Sequence, residues 1–267
     1  MSEDEIILTH ILNCRRIDLH VDKPALSKEQ QRQFDEYKVR RAAGEPLQYI
    51  LGSCNFFGLE FKVNPAVLVP RPETEILVEE ALRRFKGNAI LDIGTGSGCI
   101  AVTLAKNLPH TRVTAVDVSA DALTVARENA VTHGVADRID FVQADILSAV
   151  IPVPTFSRDN RESRTFDLIV SNPPYIPSAQ ISTLPKDVQK EPCLALDGGE
   201  DGLTFYKSLI KYSPSLLRKG ACLMMEFGDG QGSAIRAIFD QGKAFSGVEI
   251  LKDLTGKERI MCGKICH

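Results

Sequence analysis

No apolar run in this 267-residue chain approaches the ~20 residues that a membrane-spanning helix needs. The opening Met1-Ser2-Glu3-Asp4-Glu5 also lacks the basic start of a secretory leader, so neither membrane insertion nor export is expected and the cytoplasm is the anticipated location. A positive excess is missing as well. The formal net charge is −3, whereas a nonspecific nucleic-acid binder leaves a basic footprint. That leaves room for a local basic patch and argues against a direct nucleic-acid partner. The seven cysteines are odd in number and scattered, on a chain long enough to need no staples, and they read as reduced thiols. Near the end, Cys262, Cys266 and His267 look haem-like at a glance. Haem attachment has two residues between its cysteines and here there are three, so a strand end and tail is the better reading. His10, His20, His110 and His133 stand far apart and join no Cys, Asp or Glu at ligand spacing; no metal is expected.

What is present is an ordinary globular composition, 43% apolar and 25% charged, on a chain that exceeds the usual single-domain size. Two domains are expected, a helical one over residues 1–65 and a catalytic one over 66–267. In the first, Ile7, His10, Ile11 and Cys14 fall at helical spacing. Ser27 with Gln30 forms a capping-box pattern that opens a second helix, and Gly44 stops it. Residues 55–63 alternate around Gly58 and predict a short hairpin that links the domains. Pro70, Arg71, Pro72, Glu73 and Glu75 mark a helix start followed by an apolar stripe at Val78, Ala81, Leu82 and Phe85.

From residue 89 onward, apolar runs at 89–93, 113–118, 139–142, 166–170 and 221–226 alternate with helical stretches. That alternation predicts a parallel sheet covered on both faces. Runs at 248–252 and 259–262 lie too close together for anything but an antiparallel hairpin. The expected fold is therefore α/β, of the class I S-adenosylmethionine-dependent methyltransferase type: a Rossmann-like, mostly parallel seven-stranded sheet with an antiparallel strand, plus a small N-terminal helical domain. The Pro- and Ser-rich stretch 152–164 is expected to be a loop.

Gly94, Thr95, Gly96, Ser97 and Gly98 sit between the first of these runs and a helical segment. There the chain must turn sharply and a missing Cβ lets the backbone approach a ligand. Asp117 ends the next run, where a carboxylate can accept from both ribose hydroxyls of an adenosine. Dinucleotide enzymes share these features. The Gly-x-Gly-x-Gly spacing departs from theirs, however, and Asp92 before the loop is unhelpful to a phosphate but suits the amino group of a methionine moiety. Asp145 and Ile146 follow the third run, placed to meet the adenine amino group and ring; Asp145 reads almost as well as a simple turn cap.

Asn172, Pro173, Pro174 and Tyr175 follow the fourth run. In open α/β sheets ligands gather at the carboxyl ends of strands, so this tetrad should face the glycine loop. Neither proline has an N–H, which leaves the Asn172 side-chain oxygen and the Pro173 carbonyl as acceptors on a stiff backbone. An amide nitrogen is a poor nucleophile because its lone pair is delocalised. Two acceptors holding its hydrogens would aim that lone pair and favour the positive charge that develops on it. Tyr175 offers a flat face to a planar group. As a bare turn, the same four residues can also be structural.

With these motifs, the sequence resembles the HemK family of protein-(glutamine-N5) methyltransferases. The resemblance spans nearly the whole chain, including Pro46, Gln48, Tyr49 and Gly52, then Pro70 to Glu75, Glu191, Pro192, Gly198, Gly199, Gly202, Glu226, Gly228 and Gln231. It implies S-adenosyl-L-methionine as cofactor, contacted by Gly94 to Gly98, Asp117, Ile146 and Asn172, with Asn172 to Tyr175 holding a glutamine amide. It further implies peptide chain release factors as protein substrate, docked by the N-terminal domain. Ile146 is a departure, since relatives can carry an aromatic residue there. Rival readings are a glutamine methyltransferase of a ribosomal protein, an adenine-N6 DNA methyltransferase gripping a flipped base, and a noncatalytic cofactor-binding scaffold. The intact tetrad speaks against the last. Lys38, Arg40 and Arg41 read as either a partner-facing patch or a solvated helix face.

Overall fold

The computed structural model of the chain describes residues 2–21, 24–148, 165–253 and 255–266; the loop expected at 152–164 lies outside the described residues, as does His267. The chain opens with α1 (Glu3–Leu12), begun by a Ser2–Glu5 capping box. Asn13 ends it in the left-handed conformation that asparagine tolerates, with its N–H returned to His10 O and Thr9 O. Cys14 therefore falls beyond the helix that its spacing predicted, and a short α2 (Arg16–Val21), which the spacing did not predict, follows. The Ser27–Gln30 capping box opens α3 (Lys28–Ala42) as expected, and Gly44 lies just past its end with φ +83°. Of the residues in these three helices only Ile7 is buried.

A further helix, α4 (Leu47–Leu51), carries three buried side chains and leads into β1 (Ser53–Phe56) and β2 (Leu59–Lys62). These pair as the expected hairpin, with Phe57 and Gly58 both at positive φ in its two-residue turn. The Phe57 N–H donates to Glu75 Oε1 at 2.7 Å, so the strained turn is tied to the helix that follows, α5 (Pro72–Arg84). The hairpin is not a detached linker. Phe56 and Phe61 are fully buried in the same core as Leu77, Val78 and Ala81 of α5. Their rings meet edge to face with centroids 6.0 Å apart. Phe61→Ala should accordingly cost about 3–5 kcal/mol of unfolding free energy, read from the shift in denaturant midpoint; a loss below ~1 kcal/mol would mean that the hairpin packs independently of that core.

The remaining elements alternate as the apolar runs predicted. They are β3 (Ala89–Ile93), α6 (Cys99–Asn107), β4 (Arg112–Asp117), α7 (Ala120–Thr132), β5 (Ile139–Gln143), β6 (Phe166–Ser171), α8 (Thr204–Tyr212), β7 (Leu217–Glu226), α9 (Gly232–Gly242), β8 (Phe245–Lys252) and β9 (Glu258–Ile265). One sheet collects seven of the described strands in the order β5-β4-β3-β6-β7-β9-β8. Pairing is parallel from β5 to β7, and β9 inserts antiparallel to both β7 and β8. Cys262 thus belongs to a strand and Cys266 to its exposed end, and all seven cysteines are free thiols. Helices α5, α6 and α7 cover one face of the sheet, and α8 and α9 cover the other. α6 is buried from Cys99 to Ala105 because it is wedged under α5 and α7. Among the described residues no helix is long and apolar enough to cross a membrane, and no group of three or more His, Cys, Asp or Glu could hold a metal ion.

Candidate active site

The chain reverses its winding between β3 and β6, so the carboxyl ends of β3, β4, β5 and β6 open onto one crevice. A cavity there is lined by Gly94 and Gly96 after β3, Asp117 at the end of β4, Asp145 and Ile146 after β5, and Asn172, Pro173 and Pro174 after β6. These are eight of the residues singled out in the sequence, gathered from four strands. Pro192, one of the residues that carry the resemblance, closes the walls with Ala66, Val67, Leu194 and Phe205, which no local pattern identified.

The glycine loop is shaped by its glycines. Gly94, Gly96 and Gly98 all have positive φ, at +74°, +54° and +80°. At Gly94 and Gly96 no atom lies within 4 Å of where a Cβ would stand, so a side chain at either would project into open space beside the cavity. A Cβ at Gly98 would instead stand 3.0 Å from Ala126 Cβ, because there the loop packs on α7. The side chains of Thr95 and Ser97 are buried behind the loop and line no part of the cavity. Thr95 Oγ1 donates to Asp92 Oδ2 at 2.7 Å. Asp92 is fully buried beneath the loop, its carboxyl pushed up to about 7 by burial. Asp92, which the sequence offered to the amino group of a methionine moiety either directly or through water, stands behind the loop. Asn129, unremarked in the sequence, braces the same turn: its Nδ2 donates to Ser97 O and Lys62 O, and its Oδ1 accepts from the Lys62 N–H.

Asp117 is fixed by two backbone donors, the Gly96 N–H to Oδ2 and the Ser119 N–H to Oδ1, each 2.9 Å. Burial raises its carboxyl above the usual range while these bonds pull it down. The Gly94 and Thr95 N–H groups are likewise spent, on Val116 O, and that of Gly98 on Thr95 O. A phosphate-binding loop keeps such donors free for its ligand. Here four of them are engaged inside the protein and a carboxylate stands at the rim, an arrangement that suits a nucleoside with a cationic tail.

On the opposite wall, Asn172 Nδ2 donates to Thr74 Oγ1 at 2.9 Å, which leaves Asn172 Oδ1 as a spare acceptor beside the two prolines. Tyr175 is not among the lining residues. Its carbonyl accepts from Gln231 Nε2 at 3.0 Å, and its ring lies so close to Gly228 that a Cβ there would stand 2.9 Å from Cδ2. Burial pushes its hydroxyl up to about 12. Gly198 and Gly202 crowd the Tyr175 backbone in the same way. Gly198, Gly202, Gly228 and Gln231, scattered in the sequence, thus share one task, clamping the end of the tetrad. Arg71 and Glu191 form an ion pair, and Glu191 Oε2 accepts from the Val69 N–H at 3.0 Å, so two further motifs meet at the cavity wall. Lys38, Arg40 and Arg41 are occupied internally, by Asp4, by Glu45, and by Glu3 with Asp187. They do not form a free basic patch.

Sheet order, the lone antiparallel β9, the open glycine turn and the acid at the end of β4 define a class I methyltransferase that uses S-adenosyl-L-methionine. Two solved structures share this fold. A methyltransferase from Pyrococcus furiosus has a TM-score of 0.56 and 19% identity, covering 87% of this chain and all of that one. The catalytic domain of hMettl16, solved with MAT2A 3'UTR hairpin 6, has a TM-score of 0.57 and 17% identity, covering 89% and 82%. Residues 72–185 match the Methyltransferase small domain family and residues 2–52 the PrmC N-terminal domain. The chain is 44% identical over 266 residues to the release factor glutamine methyltransferase of Chlorobaculum tepidum, covering 96% of this chain and 87% of that protein. Identity to the same-named protein of Geobacter sulfurreducens is 43% over 267 residues, covering 98% and 89%. It belongs to the release factor glutamine methyltransferase family.

Proposed function

We propose that this enzyme transfers a methyl group to the side-chain nitrogen N5 of glutamine in the Gly-Gly-Gln motif of peptide chain release factors, in the cytoplasm. The observation that carries this reading is the state of Asn172: its NH2 is held by Thr74, so the cavity meets an amide oxygen. When bound, S-adenosylmethionine supplies an electrophilic methyl group on a positively charged sulfur. Asn172 Oδ1 and the Pro173 carbonyl accept the two hydrogens of the substrate amide and direct its lone pair toward that carbon. Their partial negative charge also favours the cationic nitrogen that forms, after which its proton has become acidic enough to leave without a strong base. Pro174 stiffens the turn, and Tyr175 keeps it in place from behind.

Gly94, Thr95, Gly96, Ser97 and Gly98 shape the cofactor cradle in this reading. Asp117 accepts from the ribose hydroxyls, and Asp145 with Ile146 receives the adenine. Asp117→Ala should weaken S-adenosylhomocysteine binding by about tenfold to a hundredfold, the worth of hydrogen bonds to a charged acceptor. Calorimetric affinity within about twofold of the parent would remove Asp117 from this role. The helical segment before Gly44 is the proposed docking unit for the release factor.

The protein-substrate reading is favoured over a flipped adenine base by the net charge and by the internal pairing of Lys38, Arg40 and Arg41. The test is incubation with isotope-labelled cofactor against purified release factors, ribosomal proteins and DNA, followed by mass spectrometry. Label on the Gly-Gly-Gln glutamine is the expected result. Label on a ribosomal protein or on DNA alone would replace the reading with one of its rivals.

A further inference from the structure

Glu191 keeps only 5% of its surface exposed, and the proposed chemistry gives it no part. A carboxylate is costly to bury unless donors meet its oxygens. Both are met: Oε2 accepts from the Val69 N–H at 3.0 Å, and Oε1 accepts from the partly buried Arg71 guanidinium. Val69 stands 122 residues before Glu191 and Arg71 stands 120 before it. The two stretches so joined are two walls of the cavity. Ala66, Val67 and Leu68 line it from one, and Pro192, Leu194 and Ala195 from the other. Among the described residues, the hydrogen bonds that connect 66–71 with 191–195 all end on the Glu191 carboxylate. The first wall is also held by the Tyr49 hydroxyl, which donates to Val67 O at 2.5 Å.

The connection reaches past the walls. Arg71 is the residue on which α5 starts, and its carbonyl accepts from the Thr74 N–H at 3.0 Å. Thr74 Oγ1 in turn takes the Asn172 NH2 at 2.9 Å. Hydrogen bonds and one helical turn therefore run without a break from Glu191 to the amide that faces the cavity. The residues lining both walls are apolar, and apolar contact is non-directional, so packing by itself leaves the walls free to slide. A hydrogen-bonded guanidinium–carboxylate pair fixes both distance and direction.

We infer that the Glu191–Arg71 pair ties the two walls of the cavity at a fixed separation and seats the start of α5. Both are positioning residues, for the bound cofactor through the walls and for the Asn172 amide through Thr74. The inference rests on the amide-methylation reading for its consequence in kcat, but not for cofactor binding or for the ligand-free protein.

The test uses the full-length enzyme and three readouts: hydrogen exchange of the ligand-free protein followed by mass spectrometry, calorimetric affinity for S-adenosylhomocysteine, and kcat with release factor and cofactor saturating. Arg71→Met leaves a buried carboxylate without its cation. It should speed exchange over residues 66–71 and 191–195 while β3 and β4 keep the parent rates. S-adenosylhomocysteine affinity should fall by about tenfold or more, and kcat by about tenfold to a hundredfold. The double variant Arg71→Met/Glu191→Gln should be milder than Arg71→Met alone, because the new amide oxygen still accepts from Val69 and no uncompensated charge is buried. Arg71→Lys keeps the charge without the planar fork and should recover part of the affinity. Phe61→Ala weakens the core away from the pair and should bind S-adenosylhomocysteine as the parent does, which separates positioning from stability. Parent affinity in Arg71→Met, exchange that quickens uniformly over the chain, a double variant no milder than the single one, or an equal loss of affinity in Phe61→Ala overturns the inference. If Arg71→Met does not fold, the double variant and Arg71→Lys carry the comparison, and parent affinity in both overturns it. Exchange and affinity as expected, with no release factor methylated by the parent, overturns only the substrate reading.

Discussion

Asn172→Ala is expected to lower methyl transfer to the release factor by on the order of 10²-fold or more while S-adenosylhomocysteine affinity stays within about threefold. The side chain is half-buried and its one bond within the protein is the donation to Thr74, so truncation should cost little stability. What is lost is an acceptor that matters more to the transition state than to the bound substrate. In the ground state the amide nitrogen is neutral, and either of its hydrogens can find water. As the methyl group arrives, positive charge builds on that nitrogen and both hydrogens become stronger donors, so the missing oxygen is felt mainly in kcat and less in KM. Single-turnover transfer, measured with both substrates saturating, separates the two. Unchanged turnover would mean that the Pro173 carbonyl alone positions the amide. Asn172→Asp is a sharper control. It keeps an acceptor oxygen but loses the NH2 that donates to Thr74, and should recover only part of the loss.

Much of this architecture was legible because its signals are local. The strands from β3 to β7 are short apolar runs bounded by turn residues, and the glycine loop declares its backbone conformation through residue type. Asp117 and Asn172 are recognisable because each ends a strand whose neighbour in the sheet can be anticipated. The missed features depend on residues distant in sequence. Asn172 and Thr74 are 98 residues apart, and only the parallel pairing of β6 with β7 and the docking of α5 against β7 bring them together. Asn129 reaches back 67 residues to Lys62 and 32 to Ser97, and an asparagine in mid-helix gives no hint of that. The hairpin was read as a linker because alternation shows that a strand has one buried face, not what buries it. Thr95 and Ser97 were counted with their loop, although a tight turn sends alternate side chains to opposite sides and only Gly94 and Gly96 of the five line the cavity.

Removal of residues 2–43 should reduce methylation of an intact release factor by on the order of 10²-fold or more and leave cofactor affinity nearly unchanged. The cut falls before Gly44 and not at residue 65 because of what each stretch packs against. Helices α1 to α3 contribute one buried side chain, Ile7. Beyond Gly44, Tyr49 donates to Val67 O at 2.5 Å, and Phe56 and Phe61 fill the core under α6, so loss of that part would strip the catalytic fold itself. The helical segment leaves Ile17, Val21 and Val39 exposed, Val21 by 71%. A free glutamine-bearing peptide meets only the cavity, whereas an intact release factor held by this segment presents its glutamine at a high effective concentration. The truncated enzyme should therefore treat a short Gly-Gly-Gln peptide as the full-length enzyme does, and lose its preference for the folded protein over that peptide. Full activity of the truncated form on the intact protein would move the docking surface to the cavity mouth, where Val118, Leu147 and Leu194 are exposed apolar residues.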